Sequence, residues 1–250
     1  MKKVKDFFRE IRWYEYAFVA FATAILIIFS IIFKINVLYF FSTFFGIIAV
    51  SFLSKGNIVG IFISFIQIAF YSTISYINGL YGEVISNVCI TLPLYIANVI
   101  AWAKNLHSKT GEVKIAPTVS VKEIILAIFA ATIISVGMYY LLDVFNTNAL
   151  LFSTLTFALN LLGVYFLIRR NSINFLFYVL SNITGIIMWI TIFNETKDYS
   201  IIATFINLSV FLILNIYGIF NWKKLKNNQK KSSTNWWLFN FLEQPLNIKD

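Results

Sequence analysis

The chain has 250 residues, of which 59% are hydrophobic and only 12% charged, with 27 phenylalanines and a formal net charge of +9. Soluble domains run at about 45–50% apolar and about 25% charged, so this composition excludes a soluble globular protein and predicts a polytopic membrane protein. The positive excess is then an orientation signal, with anionic membrane lipid as its partner, and no nucleic acid is needed to explain it.

A hydrocarbon core of ~30 Å takes about 20 helical residues to cross, and lipid offers the backbone no hydrogen-bond partner, so each long apolar run must be a helix. Eight runs follow in order: 17–33, 37–53, 58–77, 84–102, 122–142, 149–168, 174–193 and 201–221. Residues 1–36 hold a basic segment and the first run, which has no A-x-A-like cleavage site and reads as an extra transmembrane helix. Residues 37–104 form a three-helix unit, 105–145 a cytoplasmic loop and linker helix, 146–226 a second three-helix unit, and 227–250 an amphipathic cytoplasmic tail. That tail joins a basic cluster to Trp236, Trp237, Leu238 and Phe239, a composition suited to resting at the inner membrane surface. With both termini placed in the cytoplasm, 18 Lys and Arg fall inside and only Lys34 and Lys197 outside.

The two three-helix units share a weak internal duplication. An offset of 115 pairs Lys55 with Arg170, Ile58 with Ile173 and Gln67 with Asn182. Beyond the outer loop an offset of 120 pairs Asn87 with Asn207 and Trp102 with Trp222. Both units start from the outside, so they are parallel repeats joined by the fifth span, a 3+1+3 core.

Polar residues inside the spans fall on single helical faces. The fourth span carries Asn87, Thr91, Tyr95, Asn98 and Trp102 on one stripe, and the eighth carries Asn207, Phe211, Asn215, Gly218 and Trp222. The third adds Gln67, Phe70, Tyr71 and Ile74, the sixth Ser153, Thr156, Asn160 and Gly163, and the seventh Tyr178, Asn182, Gly185 and Trp189. Singly, such amides equally serve as contacts between helices. Together with aromatic faces they suit a small, polar, ring-bearing solute. In the connecting stretch Asn78-Gly79-Leu80-Tyr81-Gly82-Glu83, Glu83 reads as a carboxylate at the positive end of the fourth span, at the outer lip rather than within the path.

No H-E-x-x-H helix, metal spacing or P-loop occurs, the lone histidine, His107, falls in a predicted loop, and the lone cysteine, Cys89, falls within a span. Neither an enzyme nor a cofactor is expected, and facilitated diffusion is the simplest mechanism. A SWEET-like sugar carrier or a non-transporting membrane subunit would share the helices. Neither calls for so many rings beside amides in two matching halves.

Lys55-Gly56-Asn57, the run Tyr71-Ser72-Thr73-Ile74-Ser75-Tyr76-Ile77-Asn78-Gly79-Leu80-Tyr81-Gly82-Glu83, and Leu92-Pro93 with Trp102 downstream resemble the first half of the Pnu vitamin transporters. Arg169-Arg170, the stretch Asn174 to Asn182 and Asn221-Trp222-Lys223 are similar to the second half. The resemblance covers roughly residues 40–226. It implies a SWEET-like 3+1+3 fold, a homotrimer and the inner membrane of a bacterium. It also implies facilitated diffusion of an unphosphorylated vitamin or nucleoside, trapped inside by a cytosolic kinase. Nicotinamide riboside is the leading cargo; a deoxynucleoside, thiamine and riboflavin are the alternatives. The chain departs from the nicotinamide riboside branch at Phe175 and Tyr178, where that branch has tryptophans, and at Tyr95, where it has glutamine. The expected substrate-binding set is Gln67, Tyr71, Asn87, Thr91, Tyr95, Asn98, Asn160, Phe175, Tyr178, Asn182, Trp189, Asn207 and Asn215.

Overall fold

The protein is seen here as a computed structural model that describes residues 13–106, 112–116 and 119–242, without the side chains of Tyr14 and residues 231–242. The basic residues before Trp13, His107, and the side chains of Trp236 and Trp237 lie outside that description. The described residues fold as eight long helices. These are α1 (Trp13–Phe33), α2 (Val37–Leu53), α3 (Val59–Ile77), α4 (Tyr81–Ala103), α5 (Val121–Val144), α6 (Leu150–Ile168), α7 (Ile173–Thr196) and α8 (Ile201–Leu242). Seven are long and apolar enough to cross a membrane, and α2, at 17 residues, is a shorter apolar helix. Each coincides with one predicted run, which establishes an all-helical polytopic membrane protein.

The turns end these helices by recognisable local chemistry. Left-handed residues occur at Lys34, Gly56, Gly79, Asn146, Ala149, Arg170 and Lys197, each in a connection between helices. At Gly79 the left-handed φ of +65° coincides with a close approach, because a Cβ there would meet the Asn148 amide at 2.8 Å. Asn57 and Asn171 each turn a side-chain oxygen onto the backbone N–H two residues on, opening α3 and α7. Ser120 Oγ accepts from the Glu123 N–H, three residues on, at the start of α5.

Helix α4 is not uniform. It opens as Tyr81–Ile85, widens to a π-helical turn over Ser86–Thr91, and resumes as Leu92–Ala103 with Pro93 in the first turn. Proline has no N–H to give the preceding turn, and the π turn absorbs that loss. Asn87 Nδ2 donates to the Glu83 carbonyl at 2.7 Å, supplying a donor where the backbone ladder is interrupted.

Six helices form a ring in the order α2, α3, α4, α6, α7, α8, with α8 returning to α2. Helix α5 packs outside on α6, and α1 packs outside on α2 and α8. Lys55 reaches Glu15 of α1 at 2.9 Å, and Tyr217 of α8 donates to the same carboxylate, which fixes α1 in place. The outward faces remain apolar: Phe21, Ile28 and Ile31 on α1 and Ile125, Phe129 and Ile133 on α5 are all exposed, as lipid-facing surface requires.

One end of the ring is closed by a strap of residues 112–116. Val113 N–H donates to the Gly56 carbonyl, Lys114 N–H to Asn105, and Ala116 N–H to Arg170. The Gln229 amide brackets the strap, accepting from Ile115 N–H at 2.9 Å and donating to the Val113 carbonyl at 3.1 Å. Helix α8 continues through the first part of the expected tail as far as Leu242.

Candidate functional site

The ring encloses an elongated cavity of about 1000 Å³, its open mouth included. Eleven of the thirteen expected residues line it: Gln67, Tyr71, Asn87, Thr91, Tyr95, Asn160, Phe175, Tyr178, Asn182, Asn207 and Asn215. The other two are buried close by. Trp189 has no exposure and donates its indole N–H to the Tyr71 hydroxyl at 3.1 Å, so it positions a lining residue. Asn98 is also fully buried, with neither side-chain polar atom paired.

The mechanism that brings these residues together is visible helix by helix. The π turn, with more residues per turn than an α-helix, keeps Asn87 and Thr91 on one azimuth, and Tyr95 follows one turn on. On α8, Asn207, Phe211 and Asn215 repeat at four-residue intervals and reach the same space. Gly46 of α2 admits that face: a Cβ there would lie 2.7 Å from Asn207 Oδ1 and 2.9 Å from the Phe211 ring. The stripes continue past the cavity to Trp102 and Trp222, whose rings meet at 5.7 Å between centroids. Trp102 Nε1 donates to the Leu167 carbonyl ending α6, and Trp222 Nε1 to the Leu53 carbonyl ending α2, both at 3.2 Å.

The aromatic residues are held by glycines. The Tyr178 ring rests on Gly163, and the Phe175 ring rests on Gly218 and edges against Trp222 at 5.1 Å. Several polar atoms in this wall are buried and unpaired: Asn182 Nδ2, Asn207 Oδ1 and Asn174 Oδ1. Buried polar groups are ordinarily satisfied, so three such atoms around one space are capacity for a polar guest or for water. Asn160 is differently used, since its Oδ1 accepts from Ser181 Oγ at 2.8 Å.

The sequence reading placed Glu83 at the outer lip. Instead it is only 3% exposed and lines the cavity. Thr156 Oγ1 of α6 donates to its Oε1 at 2.6 Å, and the Tyr71 hydroxyl lines the same cavity. Its burial comes from α6 packing over the first turn of α4, a contact that spans 73 positions and leaves no trace in local sequence. Thr156, already on the expected face of the sixth span, and Ser181, Asn174, Ser64, Phe211 and Met188 also line the cavity. Glu83 is the one charged side chain among the described lining residues.

The duplication also needs a one-residue adjustment. The left-handed turn residues are Gly56 and Arg170, and the turn-capping amides are Asn57 and Asn171, which sets an offset of 114 at this point. The α2–α3 turn is one residue longer than the α6–α7 turn, so Gln67 corresponds to Ser181 and Asn182 to Ile68. Helices α4 and α8 begin at Tyr81 and Ile201.

The family model described as nicotinamide mononucleotide transporter matches residues 36–224. The chain is 24% identical over 185 residues to the nicotinamide riboside transporter PnuC of Neisseria mucosa, covering 72% of this chain and 69% of that protein. It is 25% identical over 181 residues to the nicotinamide riboside transporter PnuC of Haemophilus influenzae, covering 72% and 76% respectively. Among solved structures it is similar to the crystal structure of the vitamin B3 transporter PnuC, with a TM-score of 0.78 and 21% identity over 87% of this chain and 94% of that one. At that identity the structural likeness speaks to the fold alone.

Proposed function

Because the chain belongs to the nicotinamide mononucleotide transporter family and is therefore a membrane transporter rather than an enzyme, we propose that its cargo is an unphosphorylated vitamin nucleoside, nicotinamide riboside. The observation that carries this reading is the charge inventory of the cavity. A phosphate monoester brings about −1.5 to −2 charges at neutral pH and is normally met by Arg, Lys or a helix N-terminus. Here the described lining holds no Lys, Arg or His, and its single charge is the Glu83 carboxylate. A mononucleotide would be repelled, while a nucleoside would find amides for its ribose and carboxamide and ring faces for its base.

The cargo crosses by facilitated diffusion with alternating access, through residues 37–104 and 146–226 acting as two units joined by α5 in a SWEET-like 3+1+3 core. The matched turns at Asn57 and Asn171 support that grouping. So do the crossed contacts of the first helix of each unit with the third of the other, α2 with α8 and α6 with α4. The Lys and Arg distribution supports cytoplasmic termini in a bacterial inner membrane. A homotrimer and trapping of the cargo by a cytosolic kinase complete the reading. Phe175 and Tyr178 are smaller than the tryptophans the resemblance leads one to expect, which favours, as a second reading, another Pnu-type cargo such as a deoxynucleoside, thiamine or riboflavin.

The test is uptake of labelled nicotinamide riboside into vesicles holding the purified protein, with nicotinamide mononucleotide, thiamine, riboflavin, deoxyadenosine and glucose as competitors. Saturable uptake that the mononucleotide does not inhibit is expected. Inhibition by the mononucleotide at the riboside's own concentration would overturn the charge argument, and absence of saturable flux would overturn the transport assignment.

A further inference from the structure

A carboxylate that is 3% exposed inside a membrane helix bundle is costly unless something offsets its charge. Glu83 accepts from the Thr156 hydroxyl, which carries no charge of its own, and shares the cavity with the Tyr71 hydroxyl. No Lys, Arg or His stands among the described residues of the cavity to pair with it. Two cations at the helix ends are engaged elsewhere, Lys55 with Glu15 and Arg169 with Glu123. The site is therefore a cavity with one carboxyl group, a ring wall and no Lys, Arg or His counter-ion among its described residues.

Resting on the transport reading above, we propose that Glu83 is a specificity-determining residue whose counter-charge is supplied by the cargo, so that the cavity selects a cationic aromatic ring over a neutral one of the same shape. The residues around the carboxylate fit that role. Tyr71 lines the cavity beside it, and Met188, also lining, brings a polarisable sulfur to the same region. Both tolerate a ring, and the tyrosine face attracts a cation. Trp189 donates to the Tyr71 hydroxyl, which holds the ring face in place. The oxidised pyridinium of nicotinamide riboside carries the required positive charge, whereas its reduced dihydropyridine form is neutral and nearly the same size. Among the alternative cargoes, thiamine is also cationic, while riboflavin and deoxynucleosides are neutral, so the same residue divides that set in two.

The experiment measures binding and vesicle uptake of the oxidised and the reduced riboside by the wild-type protein and by Glu83→Gln, which keeps the side-chain shape and an acceptor for Thr156. The wild type is expected to favour the cation by about tenfold, the scale of one partly desolvated charge pair. In Glu83→Gln that preference is expected to vanish through loss of cation affinity, with the neutral form bound as before. Equal affinity of the wild type for the two forms overturns the proposal without recourse to any variant. A variant in which both forms weaken together, leaving the ratio unchanged, overturns it as well and leaves the transport reading standing. A wild-type protein that takes up neither form overturns both.

Discussion

The Tyr178 ring lies directly on Gly163, so closely that a Cβ on that glycine would stand 2.7 Å from the ring carbon Cε1. One bare helix position on α6 thereby sets where an aromatic face of α7 stands in the cavity. Gly163→Ala must push the ring off this seat, an overpacking change that ordinarily costs about 1–3 kcal/mol. The expected outcome is roughly tenfold weaker cargo binding or more, read by ligand-induced thermal stabilisation, with the helical content unchanged by circular dichroism.

Phe175 gives the opposite kind of constraint. It is 1% exposed, rests on Gly218 and meets Trp222 edge-on. A tryptophan placed there to imitate the nicotinamide riboside branch has no room. Phe175→Trp is expected to lower the melting temperature and not to improve riboside affinity. At Tyr178 the same substitution removes a hydroxyl and enlarges the ring at a position that lines the cavity. It is expected to raise riboside affinity only when tested in protein that retains Gly163. A gain in affinity from Phe175→Trp would show that the Gly218 seat yields more than its packing suggests.

The amides divide by whether they are already engaged. Asn182 Nδ2 and Asn207 Oδ1 have no partner in the fold, whereas Asn160 accepts from Ser181. Removing an amide that serves only the cargo should cost binding and not stability. Asn182→Ala and Asn207→Ala are each expected to weaken binding by about 1–2 kcal/mol, the scale of a lost hydrogen bond to a buried guest, with melting temperatures near wild type. Gln67→Ala, at a half-buried lining position, is expected to have a smaller effect in the same direction. If Asn160→Ala hurt binding most while leaving stability intact, the division would be wrong.

The strap beneath the tryptophans depends on Gln229, which holds Val113 and Ile115 by both ends of its amide. Gln229→Ala leaves a backbone donor and acceptor to be satisfied by water. Hydrogen exchange over residues 112–116 is expected to quicken measurably, with cavity binding of the cargo retained. Unchanged exchange there would mean that the bonds to Gly56 and Arg170 suffice to hold the strap.

The helices were legible because the bilayer imposes a length and an apolar content that composition alone reveals, and all eight runs became helices. The faces were legible because helical spacing aligned Asn87 with Tyr95 and Asn207 with Asn215, and these do meet in one cavity. Glu83 was not, since a carboxylate next to glycines in a first turn has the same sequence appearance whether water or Thr156 lies over it. Nor were the ring seats. Gly163 and Gly218 sit opposite Tyr178 and Phe175 only after three helices have packed. The repeat register slipped by one residue because Lys55 and Arg170 match in charge, while the turns match in backbone shape at Gly56 and Arg170.

The crossed tryptophan bonds have a consequence for how the protein is made. The Leu53 carbonyl, which already accepts the Gly56 N–H, gains its second donor only when Trp222 arrives, 169 residues later in synthesis. At about 5–20 residues per second, α2 waits roughly 8–35 s for that cross-chain bond. Until then the leading half of the chain is an open bundle, because α8 has yet to close the ring onto α2. Translation that stops before α8 leaves a product with every earlier span present and the ring open between α7 and α2.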